Sequence, residues 1–166
     1  SHALLCDVGR FAARAGCWVL SEEVRDVPEH AYVPGQTPRH AEGRFEHLTA
    51  TVHQGMSPAQ LTQSEAFRTG LVYLRRGYFW EAHELFEPVW MALQAGSDDR
   101  RLVQALIQLA NAQLKLKMQR PKAAKRLCNM VRGLLATLTG TRVMGLELSQ
   151  IRAQLEAVEG DVNDAL

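Results

Sequence analysis

A chain of 166 residues, 46% hydrophobic and 22% charged, can bury a core without disulfide staples and is too apolar to be disordered; it reads as one soluble domain over residues 1–166. No apolar run reaches the ~18 residues of a membrane span, because the richest stretch, Leu102 to Leu116, is interrupted by Gln104, Gln108, Asn111 and Lys115. The net charge of +1 hides an asymmetry, with ten Lys or Arg and no acid between Arg100 and Leu146, so this basic middle meets either an anionic partner or the acidic segments of its own chain.

In chain order, Leu4 to Leu20 carries helical apolar spacing through Leu4, Val8, Phe11, Ala15 and Trp18, which predicts an N-terminal helix within residues 1–20. Neither a basic start nor a small-residue cleavage site marks a secretory signal there. Cys6, Cys17 and Cys128 are odd in number and show no Cys-x-x-Cys spacing; free thiols in a reducing cytoplasm are the expectation. Residues 21–58 hold four of the six prolines and four of the six histidines and read as a turn-rich arm lying across a helical body. Within it, Ala31 to Gly35 predicts an extended strip closed by a Pro-Gly turn.

Residues 64–158 are predicted as the helical core. Ser64 caps a helix that stops at Gly77, a second runs from Tyr78 to Leu93, and a third from Arg100 to Met118. A fourth opens at Pro121 and reaches Leu138, and a fifth spans Leu146 to Val158 after a break bracketed by Gly140 and Gly145. Short connections imply antiparallel neighbours, hence an all-α, compact bundle of five to six helices carrying an extended Pro/His-rich arm.

On the second helix the apolar stripe is Phe79, Ala82, Phe86, Val89 and Leu93, flanked by Tyr78 and Leu85. His83 and Glu87 stand four apart at its other edge, with Trp90 three further on, while Glu84 points about 100° away toward Glu81. A His-Glu pair beside an aromatic wall suits a metal ligand or an acid/base; a histidine on an apolar margin is more often a structural residue, here bonded to Glu87. Pro88 removes a helix hydrogen bond beside the pair, which predicts a kink. The spacing lacks the second histidine of His-Glu-x-x-His, so a metal needs further ligands. Glu84 is a candidate to position water. Gln104, Gln108 and Asn111, with Lys115, either line this pocket or form the wet side of the third helix. Of the arm histidines, His40 is the first candidate to close over the site as a third metal ligand.

Lys122, Lys125, Arg126 and Arg132 form a basic face opposite Leu127, Val131 and Leu134. No stacking aromatics or glycine-rich loop accompany it, so it reads as a solvated face and nucleic acid is not the expected partner.

The stretch from Gly77 to Trp90 resembles the signature of the domain of unknown function 309 family of bacteria and archaea, whose hallmark His-x-x-x-Glu-x-x-Trp falls here on His83, Glu87 and Trp90. Leu102 to Ala110 resembles its second block, with Ala105 where glycine is usual. The resemblance covers about Phe67 to Leu138, and more loosely Ala31 to His40. It implies a compact helical bundle and a metal-binding histidine-glutamate motif, without an established reaction. The expectation is therefore a His/Glu pocket at His83, Glu84, Glu87 and Trp90 that holds a divalent metal ion or a small polar ligand, with metal-dependent hydrolysis as the chemistry. The alternative is a non-catalytic module binding protein or RNA, in which the motif is structural. Homo-oligomerisation is left open by the sequence.

Overall fold

The computed structural model describes residues 26–166; the predicted N-terminal helix lies outside them. Seven helices follow in order among the described residues: α1 (Glu46–Thr49), α2 (Pro58–Gln63), α3 (Glu65–Arg76), α4 (Phe79–Ala92), α5 (Asp98–Lys117), α6 (Pro121–Ala136) and α7 (Leu148–Ala165). Strands β1 (Arg142–Val143) and β2 (Leu146–Glu147) form the connection between α6 and α7.

Local chemistry sets the helix ends. The Ser57 hydroxyl accepts from the Gln60 backbone while the Gln60 side chain returns to the Ser57 backbone, a reciprocal box that starts α2. Ser64 and Ser97 cap α3 and α5 by accepting from Phe67 and Arg100. Asp98 and Asp99 open α5 and Lys115 and Lys117 close it, each sign matched to the helix dipole. Gly77, at φ +89°, takes the left-handed conformation that ends α3, and Pro121 occupies the first turn of α6, where no backbone donor is required.

From α3 onward the main packing is between helices consecutive in the chain, most extensively α5 on α6, and α7 also reaches α5, as short connections require. The core between them contains Phe67, Leu74, Phe86, Leu106, Leu109, Val131, Ile151 and Leu155. Gly70 brings α3 and α4 close together: a Cβ there would stand 2.7 Å from Phe86 Cε1. Helix α4 continues through Pro88 to Ala92.

Three local expectations need correction. The break before the last helix is an antiparallel hairpin, pairing Arg142 with Glu147 and Val143 with Leu146. Its two turn residues, Met144 and Gly145, both have positive φ, the geometry that suits the strand twist of a two-residue hairpin, and two-residue strands are too short for periodicity to reveal. The last helix also runs on to Ala165, because Val162 adds another buried turn. The arm contains α1 as well as turns, and α2 begins at its last residue, Pro58.

The arm does lie across the bundle. Gln36 and Thr37 donate their backbone N–H groups to the Val33 carbonyl at 2.9 and 3.0 Å, closing a turn with Gly35 at φ +81°. Beyond that turn the Gln36 side chain donates to the Lys117 carbonyl at 2.6 Å, and Gln54 donates to that of Met91 at 2.9 Å. Tyr73 of α3 donates its hydroxyl to the Asp26 carbonyl at 2.6 Å.

Candidate functional site

Helix α4 presents two polar flanks. On the first, His83 stands between two carboxylates: Nδ1 lies 3.6 Å from Glu84 Oε1 and Nε2 lies 3.5 Å from Glu87 Oε1. Both separations are ion-pair distances, longer than a good hydrogen bond. One donor atom from each of His83, Glu84 and Glu87 falls within 4.8 Å of the others. The side chains are 22%, 37% and 52% exposed respectively, so the group is open to solvent. Burial raises the Glu84 carboxyl above its ordinary range; His83 counteracts this and Glu87 adds to it.

Glu84 therefore belongs with His83, against its expected orientation. A 100° step separates the two Cα–Cβ bonds, but three rotatable bonds let a glutamate tip reach back along the helix surface. The third member of the cluster comes from the same helix turn, in the role first considered for His40.

His40 is held on the second flank. Its Nε2 lies 2.5 Å from Glu81 Oε2, and the two side chains are 3% and 0% exposed. The Tyr32 backbone N–H donates to the same Glu81 oxygen at 2.8 Å. His30 stacks on His40 with ring centroids 4.6 Å apart, and Phe45 meets it edge-on at 5.0 Å. A carboxylate at Nε2 fixes that nitrogen as the proton-bearing one. Glu81 is the site residue that the sequence reading missed. The available signal was its position, three after Tyr78 and four before Leu85, inside the apolar flank rather than on a wet face.

A charged clamp holds the arm beside this pair. Arg44 donates to both Asp26 oxygens at 2.7 and 2.9 Å and through Nε to Glu29 at 3.1 Å, and His47 Nε2 lies 2.8 Å from Asp26. The hydrogen bonds from Arg44 hold the Asp26 carboxyl below its ordinary range.

Trp90 is half-buried and covered by Arg100, whose guanidinium carbon lies 4.1 Å from the ring centroid, a cation-π contact between α4 and α5. Gln104, Gln108, Asn111 and Lys115 are all half-buried, neither sealed pocket wall nor fully wet face. Asn111 donates to Gln108 at 3.3 Å, and among the described residues no hydrogen bond joins these two side chains to the His83 cluster. Lys122, Lys125 and Arg126 are exposed, and Arg132 pairs with Glu159 of α7, so part of the basic middle is answered by the acidic end of the chain.

No helix among the described residues is long and apolar enough to cross a membrane. No curated protein and no solved structure matches the chain. The family model described as Domain of unknown function (DUF309) matches residues 67–127, a span running from Phe67 in α3 through α4 and α5 into α6. It includes His83, Glu84, Glu87 and Trp90 and leaves out His40 and the arm. Over that segment the chain is similar to the DUF309 family.

Proposed function

We propose that His83, Glu84 and Glu87 bind a divalent transition-metal ion and that the site serves hydrolysis. The observation that carries this reading is the convergence of one imidazole and two carboxylate donors within 4.8 Å on a solvent-open turn of α4. Ligands about 2.1 Å from a common ion can be no more than about 4.2 Å apart. A shift of about half an ångström closes the set, which half-exposed glutamates can supply. One nitrogen with two oxygens suits zinc, manganese or iron, and three protein ligands leave positions for water. A bound ion of this kind supplies water of lowered pKa and polarises a carbonyl or phosphoryl oxygen. The protein's own part is positional: Glu84 extends from the cluster to the wall of the neighbouring cleft, where it can orient water or a ligand.

The purely structural reading requires a sealed, hydrogen-bonded pair, and 3.5 and 3.6 Å separations at half-exposed side chains do not favour it. The free, buried Cys128 thiol fits the reducing cytoplasm we assign as the location. The test is elemental mass spectrometry of tag-free protein after incubation with zinc, manganese, iron or nickel, beside a His83→Ala variant. Near-stoichiometric metal that the variant loses is the expected result. Absence of retained metal under every condition would sink the metal reading in favour of an interaction module.

A further inference from the structure

We propose that the cleft between the arm and α4 is a second binding site, for a small organic cation of the alkylamine or guanidinium class. The cleft holds about 580 Å³, within the size range of small-molecule sites. Arg39, Glu42 and Glu46 of the arm form one side, Trp80 and Glu84 of α4 the other, and Tyr32 and His40 also line it.

The charges on this lining choose the ligand. Arg44 also lines the cleft, but its guanidinium is engaged by Asp26 and Glu29 and is not available to an anion. Three carboxylates, Glu42, Glu46 and Glu84, remain against Arg39. The Arg39 guanidinium itself stands over the Tyr32 ring, 5.4 Å from its centroid, so a cation already rests on the aromatic wall, as ring quadrupoles favour. Tyr32 and Trp80 meet nearly at right angles, 85° with centroids 5.3 Å apart, and Trp80 is half-exposed, which leaves indole surface for a second cation.

An independent observation lies behind these walls. Glu81 is fully buried, held through Oε2 by His40 and Tyr32, and its Oε1 has no hydrogen-bond partner among the described residues. A carboxylate oxygen left unanswered in a low-dielectric interior projects negative potential into the adjacent cleft. Carboxylates and indole surface recognise a donor-rich cation and repel a phosphate or carboxylate.

The test uses the full chain, labelled with nitrogen-15 and kept in EDTA, so the outcome is independent of the metal reading. Agmatine, which carries both a primary amine and a guanidinium, is titrated while the Trp80 indole N–H signal is followed, assigned with a Trp80→Phe variant. A saturable shift in the millimolar range or tighter is expected. It should weaken at least about tenfold in a Glu42→Gln/Glu46→Gln double variant and stay unchanged in His83→Ala. Both replaced glutamates are exposed, so the double variant should retain the fold. Inorganic phosphate is expected to give no saturable shift. A flat or unsaturable agmatine response, full affinity in the double variant, or phosphate binding that the double variant strengthens would overturn the proposal.

Discussion

The two flanks of α4 carry the same pair of residue types under opposite conditions. His83 with Glu84 and Glu87 is partly exposed, its members held near one another without tight bonds. His40 with Glu81 is closed off from water and bonded at 2.5 Å. What differs is how much desolvation the fold has already exacted. A buried carboxylate and imidazole must stay paired, because either one alone would be a charge or a polar group left without water. The exposed group keeps its hydration and can exchange water for an ion. A histidine-glutamate pair is thus a structural lock or an open coordination set according to the residues packed around it, and helix α4 holds one of each.

The strongest way to break that contrast is Glu81→Ala. Removing one partner of the buried pair is expected to cost about 3–5 kcal/mol in urea unfolding at neutral pH, whereas Glu87→Ala should stay within about 0.5 kcal/mol. Equal costs would mean that the two flanks do not differ in the way described.

Gly70→Ala attacks the contact that seats α4 on α3. A methyl 2.7 Å from the Phe86 ring forces repacking worth about 1–3 kcal/mol, partly offset by about 1 kcal/mol of better helix propensity. A net loss of about 1 kcal/mol or more in thermal unfolding is expected, with metal retention preserved if the two flanks are independent.

Asp26→Asn tests the clamp beside His40. Because Arg44 lowers the Asp26 pKa in the folded state, the carboxylate stabilises the fold above the ordinary aspartate range, and that stability is lost as pH falls through the lowered value. The variant should therefore be less stable by about 1 kcal/mol near neutrality, after allowance for screening of a partly exposed pair, and indistinguishable from the parent in strong acid. Unfolding curves across pH measure this; a gap that widens on acidification would contradict the assignment.

The smallest effect belongs to His83→Ala, expected to shift stability by no more than about 0.5 kcal/mol while abolishing metal retention. A loss of several kcal/mol in metal-free protein would make His83 a structural residue after all.

Much of the bundle was legible because helix signals are local. Ser64, Gly77 and Pro121 act within one turn of themselves, and a 3.6-residue apolar period needs no knowledge of the neighbouring helix. His83 and Glu87 were legible for the same reason, as an i, i+4 pair. The turn at Val33 to Gln36 followed from proline and glycine backbone limits alone. The hairpin after α6 was not, since Val143 and Leu146 pair only because the bundle buries them both.

Amino-acid order alone determined the five long helices, the end signals at Ser64, Gly77 and Pro121, the Pro-Gly turn and the polar edge of α4. Tertiary structure alone decided that Glu84 turns toward His83, that Trp90 lies under Arg100, and that His40 crosses 41 positions to reach Glu81. Backbone propensity and capping are settled by neighbours in sequence, whereas the pairing of a buried charge is settled by which surfaces meet when the chain closes, and no local pattern records that meeting.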